Sequence, residues 1–494
     1  MYENLFDGLN ILFSAQNAIY IFAGCLIGIL LGGLPGFNAS TAMVVLLPFT
    51  YLMDPAGGMI LLVSVACAAI YGGSITAILF RTPGTIGNFV TVLDGYEMTK
   101  NGEGVRALGI SVSASTIGGI LSGLSLLIFA PPLAVLAASF SFPETFVLIV
   151  WTFTIIGVLS KSVVKGLAAG ALGMLLASVG ADPVQAFERM TFGIPDLFEG
   201  ITFIVAIMGF FCFSQMMTVS MQDFILHDTG SYQGGYKEAF SGAAFPFKRP
   251  GILGRSSLVG ILVGALPAAG TAIATMLSYA VQKNVARNPE SYGTGNPEGV
   301  LASETSNNAT EGSCMIPMLT LGIPGSNIAA VLMAALTLHG IVVGPRIFEQ
   351  HGDVVYSLIF AIILANPLMF IIGIALSRHL GRMTVLPIDR LVPYILVFIL
   401  FGTYAVGNST FHFQIMVAFG VLAYFMQRHG YPIMALALPF VLGQNLEQSF
   451  LIAMRYSDND PSIFFKSPIC TALWGLTAVT LLLPKIFKRW RIEV

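Results

Sequence analysis

Apolar and polar positions follow one another along this chain in long blocks rather than short periods. Runs of about 20 mostly apolar residues, the length a spanning helix needs, fall near 15–33, 58–80, 107–130, 143–159, 166–180, 200–219, 251–265, 328–343, 353–377, 391–406, 411–426 and 469–485. Shorter or interrupted runs lie near 39–53, 129–140, 268–281, 313–324 and 431–443. The pattern predicts an all-α integral membrane protein with about 10–14 transmembrane or re-entrant helices. Residues 220–250 are polar, hold no long apolar run and read as a linker. The chain then divides into a first membrane repeat at 1–219, the linker at 220–250, a second repeat at 251–468, and a C-terminal helix with a basic tail at 469–494.

The repeats are written in the residues. GILLGGLPG (Gly28 to Gly36) and GILVGALPA (Gly260 to Ala268) agree at six of nine positions. Thr82-Pro83-Gly84 follows the first phrase and Ile323-Pro324-Gly325 the second. A weaker echo joins 166–180 to 432–446, in the same order. Lys and Arg favour cytoplasmic loops. The tail KIFKRWR and the linker region, with Lys237, Lys248, Arg249 and Arg255, therefore read as cytoplasmic, and the acidic start as external. That arrangement needs an odd number of spans in the first half, so the second repeat is expected to be inverted. A parallel duplication is the alternative.

Composition agrees with the blocks. The chain is 55% hydrophobic and 10% charged, against about 25% charged residues in soluble domains. The surroundings it implies are a lipid bilayer. A net charge of −2 offers no basic field for nucleic acid. MYENLFDGLN lacks the basic region of a signal peptide, so the first apolar run is expected to remain as a helix. Cys25, Cys67, Cys212, Cys314 and Cys470 stand singly in apolar runs, as small core hydrophobes do. The histidines lack metal-ligand spacing, and no transition metal or other cofactor is expected. No G-x-x-x-x-G-K-[ST] phosphate loop occurs, so the energy for any transport is expected from an ion gradient of Na+ or H+.

Four segments are predicted to break helices at the midplane: LPGFNAST (34–41), FRTPGTIGN (80–88), LPAAGTA (266–272) and LGIPGSNIA (321–329). Backbone freed inside a bilayer must face protein or a water-filled cavity. A helix restarting after a break presents unpaired N–H groups and a positive dipole end, which suits an anion. The candidate anion-binding residues are Asn38, Ser40 and Thr41 at the first break and Arg81, Thr82 and Gly84 at the second. Ser74, in the run leading to the second break, is counted with them. Gly270 and Thr271 are the candidates at the third break, and Gly325, Ser326 and Asn327 at the fourth. Carbonyls freed at Gly36, Gly322 and Pro324 can face a coupling ion, as paired discontinuous segments do in secondary transporters. The bland alternative is that these Pro and Gly residues only kink helices or let them pack closely.

Arg81 ends a run with no other charge. It either forks onto a substrate carboxylate or marks a helix end and reaches the interface. The polar stretch 292–312 holds Glu298, Glu304, Glu311, Asn307 and Asn308 without Lys or Arg. It reads as a cation-steering segment, with the Asn307 and Asn308 carbonyls as candidate ion ligands, or as a solvated loop. Asp94 stands where it can cap a short interfacial helix.

Two long motifs carry a resemblance. YGGSITAILFRTPGT with DGYEMTKNGEGVRALGIS, then GALPAAGTAIATMLSYAVQK with YGTGNPEGVLASETSNNATEGSCMIPMLTLGIPGSNIAAVLMAAL, resemble the large membrane subunit of the tripartite tricarboxylate transporter family. The resemblance implies a multi-pass permease of the bacterial cytoplasmic membrane. It implies two partners, a small membrane subunit of four spans and an extracytoplasmic solute-binding protein, and uptake of carboxylates with Na+ or H+. The chain departs from the family's common pattern at Phe37-Asn38, Arg81 and Thr85, beside the predicted site. The leading expectation is secondary uptake of a small organic anion by an elevator-like motion. An uncoupled channel or scaffold subunit is the alternative, and a membrane-embedded enzyme a remoter one, for want of a catalytic constellation.

Overall fold

Pro55–Phe80 shows how the apolar blocks become structure. Asp54 caps the helix by accepting from the Gly57 N–H at 2.7 Å, and Pro55 fits the first turn, where its missing N–H costs nothing. Its 26 residues reach about 39 Å, longer than a hydrocarbon core of about 30 Å. The computed structural model describes residues 2–34, 36–160, 162–185, 187–221, 234–267, 269–380, 388–407 and 409–489. Apart from a two-residue hairpin, Gly180–Ala181 with Glu188–Arg189, the described elements are helices. Six are long and apolar enough to cross a membrane: Ala15–Gly32, Pro55–Phe80, Gly104–Ala137, Phe203–Ser220, Gly352–Leu376 and Thr410–Arg428. Large apolar side chains such as Ile128, Phe129, Ile371 and Leu481 are exposed, as a lipid-facing surface requires.

The chain forms two compact units, residues 1–134 with 215–402, and 135–214 with 403–494. Each unit draws on both halves of the sequence.

In the first unit, Pro55–Phe80 is the axis, buried from Ala56 to Leu79. Ala15–Gly32, Ala39–Thr50 and Gly352–Leu376 pack on it. The repeated phrase now has a mechanical meaning. Gly28 and Gly32 lie against the backbone of Pro55–Phe80 at Val65, Ala68 and Ala69. Their counterparts Gly260 and Gly264 lie against Pro297–Ser313 at Ser306, Thr310 and Ser313. A Cβ at Gly32 or Gly264 would overlap the facing helix, so each phrase is a seam that lets two helices touch through their backbones.

The linker region is partly structured. Residues 222–233 lie outside the described residues, but Tyr236–Ala243 is a helix whose Gly242 sits on the Arg106 carbonyl, while Gly109 sits on that of Ala239. In the second unit, Val163–Ala177 and Ile433–Tyr456, which carry the weak echo, pack on each other, Gly173 against Leu436 and Gly443 against Ala177. Phe203–Ser220 contains a π-helical turn, Met208–Phe213, whose Phe210 stacks on Phe419 at 5.0 Å.

Candidate functional site

All four predicted breaks are present, and each has its own local chemistry. At the first, Pro35 lies outside the described residues, Gly36 has φ 81, and Gln215 Nε2 donates to the Gly36 carbonyl at 2.6 Å. Asn38 then caps Ala39–Thr50 by accepting from the N–H of Thr41 at 2.8 Å, and Ser40 and Thr41 are buried. The fourth break matches it. Ser326 caps Asn327–Leu338 by accepting from the Ala329 N–H at 3.2 Å, with Pro324 and Gly325 buried and Asn327 half-buried.

The second and fourth breaks stop their helices alike. Arg81 (φ 58) and Gly322 (φ 70) both adopt the left-handed conformation, and the next N–H turns back to the carbonyl six residues earlier, Thr82 to that of Thr76 and Ile323 to that of Pro317. Gly84 folds back on Gly73 and Gly325 on Cys314. Glycine pays nothing for a left-handed backbone, whereas arginine does. Arg81 is exposed at this helix end, its guanidinium 5.9 Å from the Tyr96 ring centroid.

The breaks meet across the halves of the sequence. Ala39–Thr50, after the first break, packs on Asn327–Leu338, after the fourth. Gly270–Val285, after the third, packs on the short turn Ile86–Phe89 of the second. There Gly87 fits against the Asn307 amide and the Thr271 hydroxyl. Gly270 (φ 71) opens its helix with open space around it.

The polar stretch is not a solvated loop. Pro297–Ser313 is a helix, and residues 299–313 of it are buried. Burial of its carboxylates asks where their hydrogen bonds go. Glu304, 0% exposed, is well supplied. Asn88 Nδ2 donates to Oε1 at 3.1 Å, Thr91 Oγ1 donates to the same oxygen, and Ser111 and Ser115 Oγ approach Oε2 at 3.3 Å each. Ser74 joins this group through Ser111, Oγ to Oγ 2.6 Å. Glu311, 1% exposed, is not supplied: among the described residues no N–H or O–H reaches either carboxylate oxygen. Both side-chain polar atoms of Asn307 and the Oδ1 atoms of Asn308 and Asn366 are likewise unpartnered. Among the described residues no ion pair reaches Glu304 or Glu311; the one on this helix joins Arg249 Nε to Glu298 Oε1 at 2.9 Å, at its start.

Asp94 is not a cap. Val90 holds the N-cap position of Thr91–Lys100, and the Asp94 carboxylate is buried within that helix. It accepts from the backbone N–H groups of Gly293, Gly295 and Asn296 at 2.8, 3.0 and 2.8 Å, and from the Tyr279 hydroxyl at 2.8 Å. It thereby pins the loop that leads into the polar helix. In that loop burial pushes the Tyr292 phenol above its ordinary range, and its hydroxyl donates to Glu298 at 2.9 Å.

The structure thus gathers Ser74, Thr271, Asn307 and Asn308 around the polar helix, and sets Asn38 and Ser326 at the starts of two packed helices. Sequence reasoning passed over Asn88, Thr91, Ser111, Ser115 and Asn366 and gave Glu304 and Glu311 no separate roles. The usable signal was spacing: 304, 307, 308 and 311 form one helical stripe.

Comparison with known proteins adds three findings. A family model described as "Tripartite tricarboxylate transporter TctA family" matches residues 18–438. An Agrobacterium vitis protein, described as an uncharacterized 52.8 kDa protein in the TAR-I ttuC' 3' region, is 34% identical over 491 residues, covering 98% of this chain and 97% of its own. A second protein of that organism, described as uncharacterized in the TAR-II ttuC' 3' region, is 35% identical over 224 residues, 45% of this chain and 93% of its own. No solved structure matches.

Proposed function

The chain belongs to the tripartite tricarboxylate transporter TctA family, and on that premise we propose that it carries a small organic anion, a tri- or dicarboxylate, inward across the bacterial cytoplasmic membrane. It is the large, multi-pass membrane subunit of the tripartite system. An extracytoplasmic binding protein hands it the anion, and a small four-span subunit completes the membrane part.

The observation that carries this reading is the pairing of broken segments across the halves. Asn38 and Ser326 start two helices that pack together, so two positive helix ends belong to one assembly of first- and second-half segments. The anion is held by Asn38, Ser40 and Thr41 with Gly325, Ser326 and Asn327. Thr82, Gly84, Gly270 and Thr271 bound the site, and Arg81 meets the anion at the exposed end of its helix. Uptake is driven by Na+ or H+. The two repeats are inverted, and one part moves against the rest in elevator fashion.

Proteoliposome uptake of labelled carboxylates, with both partner proteins present, tests the reading. Uptake is expected to require the binding protein and an inward Na+ or H+ gradient, and to fall at least about tenfold in Ser326→Ala and Asn308→Ala. Uptake with neither gradient, or undiminished in both variants, overturns it.

A further inference from the structure

Glu311 is the group this reading has not used. Around it, three further helices converge on Cys67 of Pro55–Phe80. Asn308 Nδ2 lies 3.5 Å from the Cys67 carbonyl, and Asn366 Nδ2 of Gly352–Leu376 lies 3.7 Å from its sulfur. The Cys67 thiol is beside the Glu311 carboxylate, and Cys25 of Ala15–Gly32 is near enough to feel its charge. The oxygens left over here are all acceptors: both from Glu311, and Oδ1 from Asn308 and Asn366. A buried carboxylate reached by no N–H or O–H leaves most of its desolvation uncompensated. A bound cation supplies that compensation.

We propose that Glu311 holds the coupling cation, a sodium ion or a proton, with the amide oxygens of Asn308 and Asn366 as additional ligands when the ion is sodium. Oxygen-only coordination is what a hard cation takes. The titratable groups facing Glu311 are the thiols of Cys25, Cys67 and Cys314. No lysine, arginine or histidine among the described residues pairs with it. The site also touches the anion tip. Cys314 Sγ is 2.9 Å from the Glu311 carbonyl and 3.1 Å from the Ser326 hydroxyl that caps Asn327–Leu338. Filling the cation site therefore bears on the packing of the helix start where the anion is held. That is the differential contact ion coupling needs.

This inference rests on the transport reading, and two measurements separate their failures. Thermal unfolding of the full-length chain in lipid nanodiscs, without substrate, reads the site. Sodium is exchanged for choline at fixed ionic strength, and pH is varied without sodium. The wild-type midpoint is expected to rise with sodium or with falling pH. Glu311→Gln is expected to fold and to lose that response. Asn308→Ala weakens a sodium response by at least about tenfold in apparent affinity but leaves a proton response in place, which tells the two cations apart. Should Glu311→Gln not fold, Glu311→Asp, which keeps the charge and shortens its reach, replaces it with weakened affinity expected. A wild type indifferent to both ions, or a Glu311 variant responding as wild type does, overturns the site. Uptake in proteoliposomes reads transport. Ion-driven uptake unchanged in Glu311→Gln sinks the site and spares the reading. An ion response confined to wild type, with no carboxylate uptake, does the reverse.

Discussion

Glu304 and Glu311 stand two turns apart on one helix, and both are shut away from solvent. Glu304 sits among an amide and three hydroxyls from the first half of the chain. Glu311 sits among thiols and amide oxygens, with the weak Cys67 S–H beside it and no N–H or O–H donating to it among the described residues. Charge-assisted hydrogen bonds contribute about 1.5–3 kcal/mol each, so the first carboxylate recovers part of its desolvation within the protein. The second must borrow its compensation from outside. The difference teaches that polarity alone does not mark an ion site in a buried helix; a deficit of donors does.

The largest expected effect breaks the satisfied member of the pair. Glu304→Ala takes the acceptor from four buried groups, of which Thr91 and Ser111 keep Ser303 and Ser74 while Asn88 and Ser115 are orphaned, and is expected to cost about 3–5 kcal/mol, read as a fall in the unfolding midpoint of nanodisc-embedded protein. Glu311→Gln in sodium-free buffer orphans no donor and removes an uncompensated buried charge, so it is expected to be at least as stable as wild type. Equal losses in the two variants would dissolve the comparison.

Asp94 sharpens it as a third buried carboxylate on the satisfied side. Asp94→Ala releases three backbone N–H groups and the Tyr279 hydroxyl. A loss of about 2–3 kcal/mol is expected, with faster proteolysis of the 286–296 loop; an unchanged cleavage rate would show that the carboxylate does not pin it.

The back of the same helix tests whether close packing is needed to hold both carboxylates in place. Gly264→Val drives a side chain into Thr310 and Ser313, at an expected cost of about 1–3 kcal/mol. Gly254→Ala, where a Cβ meets nothing within 4 Å, should gain up to about 1 kcal/mol from helix propensity. The two midpoints moving in the same direction would argue against the seam. The smallest effect concerns the paired helix stops. Arg81→Gly is expected to stabilise, and Gly322→Ala to destabilise, by about 1 kcal/mol each. Shifts of the same sign would mean that the left-handed stop is not what the two positions share.

Much of this was legible in the residues because it is local. Pro, Gly and small hydroxyl residues break helices through their own backbones, so LPGFNAST and LGIPGSNIA announce a stop and a capped restart without help from elsewhere. The apolar blocks announce spans by length alone, and the repeated phrase announces a close seam by its glycines. The amino-acid order by itself therefore determined an all-helical membrane protein, its breaks, its twice-used packing phrase and its family.

Tertiary structure decided which break faces which, and what each buried carboxylate meets. Asn88 and Glu304 are 216 residues apart in sequence, and Asn308 and Cys67 are 241 apart. No periodicity within one segment encodes such a partner. The stretch SETSNNATEG, by its polar side chains alone, reads either as a cation-steering segment or as a solvated loop, yet the fold buries it as helix, since the surrounding helices bring donors to one of its ends. Among the described residues they bring no N–H or O–H to the other. Whether a buried carboxylate is a strut or a cation site is settled by donor count, and donors arrive only when distant segments pack.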